Sequence, residues 1–224
     1  MWSVYIPSSP SFVFEALLFF ALAGILAQCV GRTLNYLGVN KLGVSINSPI
    51  IGANPLFATI MAIFLLKEFV SPLTYIGMIL IVLGIVLLSR KANGSNEAKD
   101  WRKSFLIFPL GAAMCYGASS NLTKIGLTIF PSSISGTTFA TSAGLSTYIL
   151  FLILSGKIKT ISLSGRSIWF FFGSGLSISV AWICRFSAVN IGKVTVVSTI
   201  GGAESLFALI LSRVLLKHTE KNNR

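Results

Sequence analysis

Apolar residues in this chain are grouped into long runs, which short polar stretches separate. A helix needs about 20 mainly apolar residues to cross the hydrocarbon core of a bilayer. Seven runs suit this length, and Gly, Ser or Thr interrupts each of them, as is typical of helices that pack closely in lipid. The predicted spans are 12–31, 43–66, 72–89, 104–127, 133–155, 167–190 and 194–216. The pattern predicts an all-α polytopic membrane protein, a helix bundle.

Composition agrees with this prediction and excludes several classes of protein. Only 11% of the residues are charged and 54% are hydrophobic, whereas soluble domains carry about 25% charged residues. The cysteines Cys29, Cys115 and Cys184 stand alone in apolar runs, and the single histidine is His218. We therefore expect no metal site, no disulfide framework and no cofactor. Paired carboxylates and Ser/His arrangements are not visible, so we expect no catalytic residues and no enzyme.

The charged residues are mostly basic, with 18 Lys and Arg against 6 Asp and Glu. When the loops are assigned to alternating sides of the membrane, twelve basic residues fall on one side and three on the other. This positive-inside bias predicts a cytoplasmic loop at 89–103 and C-terminus, with Met1 outside. The charge reports orientation, so we expect no nucleic-acid partner.

The chain contains an internal repeat at an offset of 150 residues. Residues 39–68 read VNKLGVSINSPIIGANPLFATIMAIFLLKE, and residues 189–218 read VNIGKVTVVSTIGGAESLFALILSRVLLKH. Without gaps, 14 of these 30 positions are identical, including an Asn, a Gly and a Lys. The repeat aligns the second span with the seventh, so its unit is five helices long. An odd unit predicts inverted copies, a recurring plan of secondary transporters.

The repeat also predicts a division of the chain. Residues 1–91 form an incomplete first repeat with its last three helices, 92–103 form a basic inter-repeat loop, and 104–224 form an incomplete second repeat with its first four helices. A complete version has ten helices, of which we expect seven here. The missing helices favour a partner chain, such as a second copy in a homodimer, or a product that does not transport.

The stretch from Gly31 to Ser89 carries a family resemblance. It reads GRTLNYLGVNKLG, then SPIIGANPLFATIMAIFLLKEFVSP, then YIGMILIVLGIVLLSR. This proline-centred helix, its Leu-x-x-Glu-like loop and the Gly-rich closing helix resemble the EamA family of the drug/metabolite transporter superfamily. The resemblance implies a ten-helix, two-repeat carrier of small organic solutes. The second copy departs from it, with Ser205 at the position of Pro55 and His218 at that of Glu68. The family usually has both ends of the complete protein in the cytoplasm, which would place Met1 inside, whereas the charge count places Met1 outside.

Polar residues inside the spans are the candidate substrate site. An ionisable group at mid-bilayer is costly and needs a partner or a wet cavity. Glu204 lies at the centre of the seventh span, and its repeat partner Asn54 lies at the centre of the second. Glu204 is expected to bind a cationic group or to exchange a proton, which would couple transport to protons. The alternative is a structural carboxylate paired with Arg185.

Other candidates share the faces of these spans. Asn47 shares a helical face with Asn54, and Lys124 is either a site residue or a snorkelling cation at a span end. Arginines in the first and sixth spans either bind an anionic group or anchor at the interface. The remaining substrate-binding candidates are Arg185, Arg32, Asn35, Tyr36 and Asn121.

These features predict a multi-pass plasma-membrane carrier that moves a small organic metabolite or drug-like solute by alternating access. One alternative is a truncated, transport-inactive remnant of such a carrier. The other is a membrane interaction protein whose basic loop docks anionic lipid or a soluble partner. The expected partners are the lipid bilayer and a small-molecule solute.

Overall fold

The described part of the chain is helical throughout. A computed structural model describes residues 10–92, 103–156 and 165–202. The helices are α1 (Pro10–Gly24), α2 (Arg32–Leu42), α3 (Val44–Ile51), α4 (Asn54–Met61), α5 (Pro72–Ala92), α6 (Ile107–Ile129), α7 (Ser133–Leu154), α8 (Gly165–Ile191) and α9 (Val194–Gly202). Two π-helical segments, Ile25–Gly31 and Ala62–Leu66, extend α1 and α4, and a 3-10 turn at Lys103–Leu106 precedes α6. This is the architecture of a helical membrane protein, as predicted.

Four of the described helices are long and apolar enough to cross a membrane: Val13–Leu42, Ser104–Ile129, Ser133–Leu154 and Phe171–Ile191. The first joins α1, the π segment and α2 into one helix, eleven residues longer at its C-terminal end than the predicted span 12–31. The predicted span 72–89 coincides with α5, and 194–216 is described only to Gly202. The total of seven spans therefore stays a prediction.

The predicted second span, 43–66, is not one continuous helix. A turn at Gly52 and Ala53 separates α3 from α4. Pro55 lies in the first turn of α4, where its missing N–H costs nothing. In a continuous helix, that missing N–H would leave the carbonyl of Ile51 without its partner. The apolar run concealed this break, because the turn is built from small residues that do not lower its hydrophobicity.

Helix α6 lies at the centre of the described bundle and packs against α1, α2, α3, α4, α8 and α9. The α1–α2 helix runs antiparallel to it. Phe20 of α1 lies against Gly126, whereas Leu34 of α2 lies against Gly111. Phe20 is fully buried and packs against Phe186 of α8, with ring centroids 6.3 Å apart. The core therefore joins α1, α6 and α8 with parts of α4, α7 and α9.

Small residues allow two helix pairs to approach at backbone distance. A Cβ on Gly24 of α1 would overlap the carbonyl of Ala140 in α7. A Cβ on Gly117 of α6 would lie 2.7 Å from the backbone nitrogen of Ala58 in α4. Large apolar side chains lie outside this tightly packed core, among them Phe64, Leu154 and Trp169. This distribution suits a protein whose outer surface contacts lipid.

Candidate functional site

Two asparagines predicted from the sequence meet where α2 packs on α3. The Asn47 side chain donates a hydrogen bond from Nδ2 to Oδ1 of Asn35 at 2.7 Å. Asn47 is 1% exposed, and its own Oδ1 has no hydrogen-bond partner among the described residues. That oxygen packs so closely on Gly38 that a Cβ there would overlap it. The glycine thus permits a buried amide pair to form between two helices.

Tyr116 extends this pair to α6. Its ring lies against Gly31, 3.0 Å from the position of a Cβ, and its hydroxyl is close to the Asn35 side chain. Arg32, the first residue of α2, is half-buried and acts electrostatically on Tyr116. Arg32, Asn35, Asn47 and Tyr116 therefore form one polar cluster, which we call the α2 cluster.

Tyr36 does not join the α2 cluster. It is 61% exposed, although it is adjacent to Asn35 in the sequence. Neighbouring residues of a helix point about 100° apart, so they face different surroundings. The structure therefore brings together three of the four α2 and α3 candidates with Tyr116 and separates the fourth.

Arg185 of α8 contacts α6 one turn beyond Tyr116. Its Nη2 donates a hydrogen bond to Oγ of Ser120 at 2.8 Å, and Ser120 in turn donates to the carbonyl of Tyr116 at 3.0 Å. Its Nη1 lies 3.2 Å from the position of a Cβ on Gly201 in α9. Arg185 therefore bridges α6 and α9 at a level close to that of the α2 cluster.

Asn54 is the first residue of α4, directly after the helix break. The backbone nitrogen of Ala58 faces Gly117, and its carbonyl accepts a hydrogen bond from Asn121 of α6. Because a helical N–H points to the N-terminus and a C=O to the C-terminus, α4 runs parallel to α6. Asn54, one turn before Ala58, is consequently placed towards the level of Tyr116 and is half-buried.

Asn121 holds α4 against α6. It is fully buried, and its Nδ2 donates to the carbonyls of Ala58 and Gly117, both at 3.0 Å. Its Oδ1 has no partner among the described residues. The bond to Ala58 thus joins the two helices, and the bond to Gly117 stays within α6.

Lys124 is bound inside the bundle at the turn between α8 and α9. Its ammonium donates hydrogen bonds to the carbonyls of Val189 at 2.8 Å, Asn190 at 3.3 Å and Gly192 at 2.8 Å. Val189 and Asn190 belong to the last turn of α8, whose carbonyls have no intrahelical partner, and Gly192 follows that turn directly. A cation at this position also interacts favourably with the helix dipole.

Glu68 binds the other side of the same turn, where α9 begins. Its two carboxylate oxygens accept hydrogen bonds from the backbone N–H groups of Val194 and Thr195, at 3.0 and 3.2 Å. Lys193 donates to the carbonyl of Phe69 at 3.2 Å. We call Lys124 and Glu68 together the α8–α9 clamp. Sequence reasoning did not assign Glu68 to a site, although its charge at the end of the aligned segment 39–68 was a usable signal.

A cavity of about 10 Å³, room for one water molecule, lies between α1, α6, α7 and α8. Gln28, Ser119 and Thr141 supply its polar lining, and Trp182 and Phe186 supply its aromatic lining. Ser119 also donates to the carbonyl of Ala23 at 2.8 Å. Gln28 was missed as a candidate, and a polar residue inside the first apolar run was the signal for it.

The remaining sequence candidate, Glu204, lies outside the described residues, as does His218. Among residues 10–92, 103–156 and 165–202, no group of three His, Cys, Asp or Glu side chains could hold a metal ion. The three cysteines, all within these ranges, are free thiols. The described site therefore offers hydrogen bonds and positive charge.

Comparison with known proteins gives one family. The model of the EamA-like transporter family matches residues 2–90 and, separately, residues 103–221. A comparison with curated proteins gives no significant match. The family match covers most of the chain and agrees with its helical spans. The chain is an integral membrane protein that belongs to the EamA-like transporter family.

Proposed function

We propose that the chain is a plasma-membrane carrier that moves a small organic solute by alternating access between two inverted repeats. The observation that carries this proposal is a turn between two helices that occurs twice, at equivalent positions of the repeat. Helix α2 ends at Leu42 and α3 begins at Val44, whereas α8 ends at Ile191 and α9 begins at Val194. At the offset of 150 residues, Val44 aligns with Val194, so α3 and α9 begin at equivalent positions.

The two separate family matches also support two repeats, because they leave out the basic stretch between 90 and 103. A helix interrupted within its span, as at Gly52 and Ala53, with polar side chains beside it is typical of transporter substrate sites, which lie near mid-membrane between the repeats. In this chain the α2 cluster, Asn54 and Arg185 supply the polar side chains. We propose that they line the path of the solute.

The proposed movement needs a contact that can open. The α8–α9 clamp joins elements from both proposed repeats, since Glu68 lies in the first and Lys124 and Val194 lie in the second. Its bonds are polar and few, so they can be exchanged for other partners at little net cost. We propose that the clamp is closed when the site is open to the side of the membrane opposite the clamp.

Flux through purified protein tests this proposal. The protein is reconstituted into vesicles loaded with a mixture of metabolites, and efflux is followed by mass spectrometry. We expect at least one solute to leave faster than from protein-free vesicles, and Asn54→Leu to abolish that flux. Lys41→Gln, at the end of α2 beside Phe105, is the matched control and should transport normally. No flux for any solute would instead favour the inactive remnant.

We further propose that Glu204 couples transport to protons. The support is its position at the centre of an apolar run, where an ionised carboxylate is costly. Glu204→Gln should abolish the dependence of flux on a pH gradient and leave pH-independent exchange in place. An unchanged response to the gradient would remove this role.

A further inference from the structure

Arg32 lies within an apolar layer without a described carboxylate to neutralise it. In the described ranges the only acidic residues are Glu15, which is exposed, and Glu68, whose two oxygens bind α9. Within the same ranges the Arg32 guanidinium has no hydrogen bond or ion pair. A charged side chain in a membrane helix is costly unless a partner or a wet cavity compensates it.

The depth of Arg32 argues against an interfacial anchor. Its neighbour Gly31 lies against Tyr116, and Leu34 lies against Gly111. Arg32 is therefore placed between four and nine residues inside the first residue of α6. At 1.5 Å per residue this corresponds to about 6–13 Å below that end of the helix. The 3-10 turn at Lys103–Leu106 extends the distance further.

The groups around Arg32 suit an oxyanion. The Asn47 amide donates to Oδ1 of Asn35 at 2.7 Å, which leaves the N–H donors of Asn35 for other acceptors. Tyr116 contributes a hydroxyl close to the Asn35 side chain. A guanidinium presents parallel donors that match the two oxygens of a carboxylate.

We infer that Arg32, Asn35 and Tyr116 form a binding subsite for a carboxylate group of the transported solute. Arg32 binds the charge, Tyr116 and the Asn35 amide donate to the same group, and Asn47 positions Asn35. Binding of the carboxylate supplies the negative charge that the described bundle lacks at this depth. The solute is then a small organic anion. This inference deepens the proposed function and rests on it for the identity of the ligand as cargo.

Matched probes test the subsite by binding alone. Purified protein in nanodiscs of zwitterionic lipid is titrated with acetate, hexanoate and benzoate, each beside its primary amide, and with phenyl phosphate. Thermal stabilisation is the readout. We expect at least one carboxylate to stabilise the protein at concentrations where its amide does not. Equal effects of every acid and its amide would overturn the inference, and stabilisation by phenyl phosphate alone would replace the carboxylate with a phosphate.

Variants locate the effect at Arg32. Arg32→Gln should weaken carboxylate binding by about 10- to 100-fold, as expected when hydrogen bonds to a charged group are lost. Arg32→Lys should retain part of it, because a lysine keeps the charge but not the fork. Lys41→Gln removes the same charge at the end of the same helix and should bind like the wild type. Wild-type affinity in Arg32→Gln would overturn the assignment.

A second variant remains informative if Arg32→Gln does not fold. Asn35→Asp places a carboxylate beside Arg32 and keeps the acceptor for Asn47. It should remove carboxylate-induced stabilisation while the ligand-free protein stays folded. A full response in this variant would overturn the inference. If carboxylates bind but no solute crosses the vesicle membrane, the proposed transport is overturned and the proposed subsite stands. If acids and amides cross equally, the proposed subsite is overturned and the proposed transport stands.

Discussion

The side chain of Glu68 caps the helix that begins at Val194, 126 residues later in the chain. Oε1 accepts from the Val194 N–H at 3.0 Å, and Oε2 accepts from the Thr195 N–H at 3.2 Å. An anion at a helix N-terminus satisfies free N–H groups and interacts favourably with the dipole. A residue of the first predicted repeat thus holds the beginning of a helix in the second.

Glu68→Gln should destabilise the protein by about 1 kcal/mol, because it removes the charge and one of the two acceptors. Thermal unfolding in nanodiscs measures this change. Glu15→Gln is the matched control, since Glu15 is exposed and forms no hydrogen bond within the described ranges. An equal loss of stability in both variants would show that the cap contributes nothing of its own.

Lys124→Met should lower the free energy of unfolding more than Glu68→Gln does. It leaves the carbonyls of Val189 and Gly192, each 2.8 Å from the ammonium, without that donor in an apolar environment. We expect a loss of about 2–3 kcal/mol in the free energy of unfolding. The control is Lys41→Met, which removes only a cation 5.6 Å from the Phe105 ring and should cost about 0.5–1 kcal/mol. Equal losses of stability in Lys124→Met and Lys41→Met would show that the hydrogen bonds to the carbonyls do not stabilise the protein.

Covalent closure of the α8–α9 clamp should stop transport. In a background without Cys29, Cys115 and Cys184, the exposed positions beside the clamp, Phe69→Cys and Lys193→Cys, are joined by a short thiol-specific cross-linker. We expect flux to cease after cross-linking and to return when a reducible cross-linker is cleaved. Single-cysteine variants treated in the same way should keep their flux. Undiminished transport by the cross-linked protein would show that the clamp need not open.

Hydrophobic patterning predicted where the helices lie but not what their polar residues bind. Apolar runs long enough to span a bilayer locate α6, α7 and α8 within a few residues of their observed ends. The break at Gly52 and Ala53 was missed, because small apolar residues sustain the run through a turn. Pro55 was a sign of it that hydrophobicity alone does not register.

The polar contacts join residues that are far apart in the sequence, so local spacing does not predict them. Lys124 was noticed at a span end, yet its carbonyl partners are 65 to 68 residues later. Asn35 and Asn47 were both candidates, but their meeting depends on the absence of a side chain at Gly38. Helix faces can be predicted from a period of 3.6 residues, whereas the pairing of faces is decided by packing.

Gly24 tests the close packing of α1 on α7. A Cβ there would overlap the backbone carbonyl of Ala140, and neither backbone can move without separating the helices. Gly24→Ala should therefore destabilise the protein by about 1–3 kcal/mol. Gly84→Ala is the control, because nothing lies within 4 Å of its Cβ position. This second variant should be neutral or more stable by up to about 1 kcal/mol, as alanine is the better helix former. Equal stability of the two variants would contradict the packing at Gly24.

Arg185 and Glu204 can be tested as a pair by a double-mutant cycle. Arg185 donates to Ser120 at 2.8 Å, and its Nη1 lies against Gly201, three residues before Glu204 in the sequence. We expect Arg185→Gln and Glu204→Gln each to destabilise the protein and the double variant to lose less than their sum. A coupling of about 1–3 kcal/mol is typical of residues in contact.

The sign and size of this coupling decide between the two roles of Glu204. Strong coupling with unchanged pH-dependent flux in Glu204→Gln would make Glu204 a structural partner of Arg185. Additive effects with loss of the pH response would make it a proton carrier. Glu15→Gln combined with Arg185→Gln is the reference cycle and should be additive, because sites that share no partner act independently. The cycle therefore separates a carboxylate that stabilises the bundle from one that drives transport.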